Sequence, residues 1–207
     1  PVGVFGDAAT FSFFGNKTIT TGEGGMVLFK DSKIAHKAAV LRDHGMSKDR
    51  RYWHDFVGYN YRLTNLQASI GVAQFERLDS FIKAKRKLAE IYNETLDKYD
   101  YLQTPIEKMD TLNSYWLYTF LVKDNAPFTR DELIDFLNKK GIESRPVFYP
   151  LHIMPPYNQF GNEHDLQTSV MIAKTGISLP SAVNLSELEA KHITNVIVDF
   201  INSYEIQ

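Results

Sequence analysis

Ser12 and Lys17 stand five residues apart in the stretch SFFGNKTITTGEGG, residues 12–25, between an aromatic segment and the glycines Gly22, Gly24 and Gly25. A lysine in such a place can be a structural cation, a phosphate clamp or, as a neutral amine, a nucleophile and base. Glycines let backbone N–H groups approach an anion. Here, however, the lysine precedes the glycines and no P-loop pattern follows, which argues against a nucleoside triphosphate loop. Read locally, the glycines turn the chain between two strands and the lysine is a solvated loop cation. The local pattern leaves the bland and the chemical readings both open.

Other reactive residue types are less organised. The six histidines (His36, His44, His54, His152, His164, His192) contain no HExxH pair, and Glu163, His164 and Asp165 read as a surface turn and helix cap, so no metal site is expected. Lys83, Lys85, Arg86 and Lys87 read as the solvated face of a helix. Lys48, Arg50, Arg51, Tyr52, Trp53 and His54 mix cations with aromatic rings, as single-strand nucleic-acid grooves do. A formal charge of -2 and a pI near 6.3 weigh against a polyanion, leaving a small anionic ligand or a subunit contact.

The elements that must position these residues follow from periodicity. Ala9–Phe14 and a short buried run from Gly25 to Phe29 predict two strands, and Asp31 to His44 a helix stopped by Gly45. Residues 46–62 have no clean period, and unpatterned segments of that length are usually functional. From Thr64, which forms a capping box with Gln67, an apolar stripe predicts one helix of about 45 Å over some thirty residues. Beyond it come a strand at 115–122, a helix from Thr129 to Lys140 stopped by Gly141, and a strand near 144–149. A proline-rich loop, a helix around 165–175 and a last helix capped by Ser186 and Glu189 complete the chain. With 207 residues and no cysteine, disulfides and thiolate chemistry are excluded, and a reducing cytoplasmic setting is expected. No apolar run predicts a membrane span and no leader is evident. Pro1 and the apolar segment after it read as a start in mid-fold.

Three separated strings, SFFGNKTITTGEGGM, LRDHGMSKDRRYWHDFVGYNYRLTNLQASIGVAQFERLD and RPVFYPLHIMPPY, occur in an order that resembles the sugar aminotransferases of the DegT/DnrJ/EryC1/StrS family. The resemblance covers nearly the whole chain. It implies an α/β protein, the C-terminal part of a fold-type I enzyme using pyridoxal 5'-phosphate: the end of the large domain (1–62), a long linking helix (63–98) and a small α+β domain (99–207). Within the family it is most similar to the branch that aminates GDP-4-keto-6-deoxymannose with glutamate as donor, for surface polysaccharide. It places Lys17 as the residue bonded to the cofactor, Ser12 on the cofactor phosphate, and Asn60 on the phosphate from the other subunit of a homodimer. Trp53, Tyr149 and His152 fall in segments that resemble substrate-facing loops, where aromatic core packing is the alternative. The Asp that protonates the pyridine nitrogen and the phosphate turn are expected before Pro1, so this chain alone is expected to be inactive. A sugar dehydratase on the same scaffold, which typically has histidine at the lysine position, and a non-catalytic binding module are the alternatives.

Overall fold

The computed structural model describes residues 2–161 and 166–205, Glu205 by its backbone alone; the turn and cap expected at 163–165 lie outside the described residues. The chain divides into two compact units, Pro1–Asp79 and Ser80–Gln207.

In the first unit, β1 (Ala8–Ser12) pairs antiparallel with β2 (Gly25–Phe29), from Ala8 opposite Phe29 to Ser12 opposite Gly25. β2 is not buried as expected: Met26, Val27 and Leu28 are each about half exposed, since a two-stranded ribbon cannot bury both its faces by itself. The strand β1 stops at Ser12 because the Phe13 N–H bonds to Gly24 and its carbonyl to Thr21, closing the loop. α1 (Ser32–Arg42) begins at Asp31, whose carboxylate accepts from the Lys33 and Ile34 N–H groups. It ends where Gly45, at φ 70°, returns its N–H to the Val40 carbonyl.

The single helix expected over 63–98 is two, α2 (Asn65–Phe75) and α3 (Leu78–Leu96). They part at residues 76–77, where the Arg77 N–H closes on Gln74 three residues back. The two carry separate stripes: Leu66, Val72 and Phe75 of α2 are mostly exposed, whereas Phe81, Leu88, Tyr92 and Leu96 of α3 are buried. No single packed face therefore runs through residues 76–77 to favour an unbroken helix.

The second unit is a four-stranded antiparallel sheet in the order β3 (Leu102–Gln103), β4 (Tyr118–Val122), β6 (Gly176–Leu179), β5 (Arg145–Pro146), with α4 (Arg130–Lys139), α5 (Gln167–Thr175) and α6 (Glu187–Glu205). In β4, Tyr118, Phe120 and Val122 are buried and the residues between only partly so, the period-two pattern of a one-sided strand. These three join Tyr92 and Leu96 of α3, Leu133 and Leu137 of α4, Ile177 of β6 and Ile197 and Ile201 of α6 in one core. Each such side chain contributes about 1.5–3 kcal/mol by leaving water.

The expected strand at 115–122 starts only at Tyr118, because Tyr115 sits at φ 47° with its N–H on the Asn113 side chain. β5 shrinks to two residues at the sheet edge, where Pro146 has no N–H to give. The central strand β6 has no counterpart among the expected elements: GISL is too short and too uniformly buried to show a period.

Candidate functional site

Lys17 lies half-buried in the loop that joins β1 to β2. That loop is fastened at several points. Thr21 sends its N–H, and Thr20 its hydroxyl, to the Phe13 carbonyl, at 2.9 and 3.0 Å. The Thr21 hydroxyl donates to the Glu23 carbonyl at 2.7 Å, and the Gln67 amide donates to the same carbonyl at 3.2 Å. Gln67 is also the third helical residue of α2, where it completes the Thr64 capping box, so one side chain starts the helix and holds the loop against it. Thr21 is buried, and a Cβ on Gly71 of α2 would come within 3.0 Å of its methyl group. Gly24 has φ 144°, and a Cβ there would meet the Thr21 hydroxyl at 2.7 Å. The glycines thus turn and pack the chain behind Lys17. Ser12, at the end of β1, is exposed; its oxygen accepts from the Phe14 N–H at 3.4 Å, leaving the hydroxyl proton for a ligand.

Asn60 belongs to a different feature of the same unit. Residues 43–62 leave α1 and come back beside it, bridged at Asp43 with Asn60 and Met46 with His54. Asp43 is the fastening: Lys48 Nζ lies 3.3 Å from one carboxylate oxygen and Arg62 Nη1 3.1 Å from the other. The hydrogen bond from Lys48, with the charge of Arg62 and against partial desolvation, holds the Asp43 pKa below its ordinary value. Only the Lys48 contact is a hydrogen bond, since the Arg62 pair lacks hydrogen-bond alignment. Arg62 Nε in turn donates to Asn60 Oδ1 at 3.3 Å, and Tyr59 and Tyr61 stack with ring centroids 5.0 Å apart. Asn60 is exposed with its amide NH₂ available to an anion. Trp53, near the far end of the excursion, is half exposed and donates from its indole to Asp55 at 3.0 Å.

The remaining two candidates lie in the second unit and differ from each other. Tyr149 is 74% exposed, whereas His152, in a 3₁₀ turn at Leu151–Ile153, is 8% exposed and its buried Nε2 has no hydrogen-bond partner among the described residues. Among the described residues, no group of three or more His, Asp or Glu is placed to hold a metal ion. Among the described residues no helix is long and apolar enough to cross a membrane.

Lys85 and Arg86 correct the reading of a solvated basic face. Lys85 is 6% exposed and donates to the Trp116 and Ser181 carbonyls at 3.2 and 2.6 Å; its burial lowers its pKa. It falls on the apolar stripe of α3, four residues after Phe81, and that position is the signal that marks it in sequence. Arg86 makes a two-pronged pair with Glu107 at 2.8 and 2.9 Å and also reaches the Asn113 carbonyl. Twenty-one residues separate the two, and no local pattern joins them.

Arg86, then the Asn113 N–H, holds Glu107 down to about 2 from an ordinary 4.5. A depressed carboxylate pKa gives stability that is complete above about pH 4.5 and is lost as pH falls toward 2. Urea or thermal melts through that window should show a steeper acid loss in the wild type than in Glu107→Gln. Parallel curves would remove the pair from the acid response.

A primary amine that can bond an aldehyde carbon and a hydroxyl that can donate to phosphate therefore share one fastened loop. This donor set fits the two functional ends of pyridoxal 5'-phosphate. Comparison with known proteins points the same way. The profile of the DegT/DnrJ/EryC1/StrS aminotransferase family matches residues 1–198. The GDP-perosamine synthase of Vibrio cholerae is 46% identical over 201 residues, which are 97% of this chain and 54% of that protein. The GDP-perosamine synthase of Escherichia coli O157:H7 is 43% identical over 199 residues, 96% and 53% of the two chains. Among solved structures, Helicobacter pylori PseC, an aminotransferase of pseudoaminic acid biosynthesis, superposes with a TM-score of 0.88 at 26% identity, covering 96% of this chain and 54% of that one. The chain spans about half the length of these relatives.

Proposed function

Since the chain belongs to the DegT/DnrJ/EryC1/StrS aminotransferase family, whose aminotransferases depend on pyridoxal 5'-phosphate, we propose that it supplies the lysine-bearing part of a sugar-nucleotide aminotransferase. The proposed reaction moves an amino group from glutamate to the 4-keto carbon of GDP-4-keto-6-deoxymannose, giving GDP-perosamine for surface polysaccharide. The observation that carries this reading is that Ser12 ends β1 and Lys17 lies in the loop that follows it, which Gln67 fastens to α2.

When bound, the cofactor supplies a carbonyl carbon for amines and a ring that takes up the electron pair freed at the donor Cα. The protein's residues do the rest. Lys17 holds the cofactor by its amine and, once released, moves a proton at the donor Cα, work that requires a group able to be both nucleophile and base. The Ser12 hydroxyl donates to the cofactor phosphate. Asn60, exposed beside α1, donates to the phosphate in the active site of a second copy, making the working unit a homodimer with shared sites. Trp53, Tyr149 and His152 contact the sugar nucleotide, with the Nε2 of His152, which has no partner among the described residues, as a hydrogen-bonding group for it. The group that protonates the ring nitrogen belongs to the part of the relatives that this chain does not span. That part also covers the exposed faces of β1 and β2, and the 207 residues alone do not turn over.

The test is amination of GDP-4-keto-6-deoxymannose by the complete protein with glutamate, beside UDP- and dTDP-linked keto sugars. Reaction of the GDP sugar alone is the expected result. Reaction of another sugar with the GDP sugar inert would replace the substrate and keep the chemistry, whereas turnover by the 207 residues alone would remove the need for the other part.

A further inference from the structure

We infer that the tip of the 43–62 excursion, residues 50–53, is the recognition surface for the nucleoside diphosphate half of the substrate, with the Trp53 ring stacking on the base and Arg50 and Arg51 taking the diphosphate. The inference rests on the reading of the substrate as a nucleotide-linked sugar.

Three cation–ring pairs fall within residues 37–56: Lys37 over Phe56 at 5.8 Å, Arg50 over Trp53 at 4.3 Å and Arg51 over Tyr52 at 4.8 Å. Energetically significant pairs occur about once per 70–80 residues, so their crowding here calls for a cause. The charges are also sorted. Lys48 and Arg62 are spent on Asp43 at the base of the excursion, and the Asp55 carboxylate is taken by the Trp53 indole. Arg50 and Arg51 face no carboxylate among the described residues within ion-pair distance, and both are exposed.

Tyr52 follows them at φ 63° with 74% of its surface open. A bulky residue in the left-handed region is strained, and such strain gathers at ligand sites. Trp53, the next residue, is half exposed.

A half-exposed indole can stack on any base once Arg50 leaves its ring for a phosphate, and guanidinium forks match phosphate oxygens better than ammonium does. Seven residues of the same excursion separate Trp53 from Asn60, so a ligand that reaches both spans at most about 25 Å between them.

Calorimetric titration of the complete protein with GDP, inorganic pyrophosphate and guanosine tests this. GDP should bind about tenfold more tightly than pyrophosphate, and guanosine more weakly than either. The R50A/R51A variant should lose at least tenfold in affinity for both GDP and pyrophosphate while melting at the wild-type temperature, since both side chains are exposed. W53L should weaken GDP and leave pyrophosphate unchanged, which separates stacking on the base from pairing with phosphate. Equal GDP affinity in wild type and R50A/R51A would overturn the assignment, as would binding of a single-stranded oligonucleotide with none of GDP. The cofactor reading fails or stands separately, through the absorbance that pyridoxal 5'-phosphate acquires on the wild type and not on Lys17→Ala.

Discussion

Replacing Lys17 with alanine in the complete enzyme should lower amination of the keto sugar by at least about 10²–10⁴-fold, the range lost with a positioned acid–base group. The fold should survive. The loop is fastened through the Phe13 and Glu23 carbonyls by Thr20, Thr21 and Gln67, which remain in the variant. Alanine alone would not decide among a structural cation, a phosphate clamp and a nucleophile, because it removes all three. Lys17→Arg does decide. Arginine keeps the charge and improves phosphate pairing, yet it cannot be deprotonated in a protein, so it can neither bond the cofactor nor carry a proton. The expected result is that arginine is as inactive as alanine in a single-turnover assay with glutamate, while both variants melt like the wild type. Substantial activity in the arginine variant would return Lys17 to the role of cation.

That ambiguity shows where sequence reasoning reaches and where it stops. The helix starts at Asp31, Thr64, Thr129 and Ser186, and the stops at Gly45 and Gly141, are legible because each depends on groups within five residues. Lys85 reads as solvated because its partners, the Trp116 and Ser181 carbonyls, come from segments 31 and 96 residues away. Arg86 and Glu107 fail for the same reason. The break at 76–77 carries no proline or glycine to mark it, and the stripe of α3 is buried where that of α2 is not, which only packing reveals. The candidate site is divided in the same way. That Ser12 and Lys17 share a strand end and its loop is local information. That Gln67 serves both the helix cap and the Glu23 carbonyl is not, since 44 residues separate the bonded pair. The roles proposed for Asn60, Trp53, Tyr149 and His152 rest on the order of the family's motifs, and the open amide of Asn60 and the orphaned nitrogen of His152 are compatible with them.

Gly45→Ala should be the most damaging single-methyl substitution in the first unit. Gly45 sits at φ 70°, and a Cβ there would lie 1.9 Å from the Phe56 carbonyl oxygen and 2.7 Å from its carbon. Gly58 presses on the same crossing, its Cβ position 2.1 Å from the Gly45 nitrogen. The colliding atoms are backbone, which cannot swing aside as a side chain would. Left-handed strain costs of order 1–3 kcal/mol, and forced displacement adds about 1–3 kcal/mol. Gly141→Ala provides the comparison: φ is 77°, but nothing lies within 4 Å, so it carries the strain without the collision. Gly45→Ala should therefore lower stability by more than Gly141→Ala does, and in a particular place. The crossing is closed by the Asp55 N–H on the Gly45 carbonyl at 3.1 Å and the His44 N–H on the Tyr59 carbonyl at 2.8 Å. Amide hydrogen exchange at Asp55 and His44 should accelerate in Gly45→Ala while the amides of α4 and α6 keep their protection. Because Asn60 and Trp53 both hang from this crossing, the affinity for GDP should fall with it. Equal destabilisation by the two alanines, with exchange at Asp55 unchanged, would mean that the excursion is held elsewhere and that its two glycines merely turn the chain.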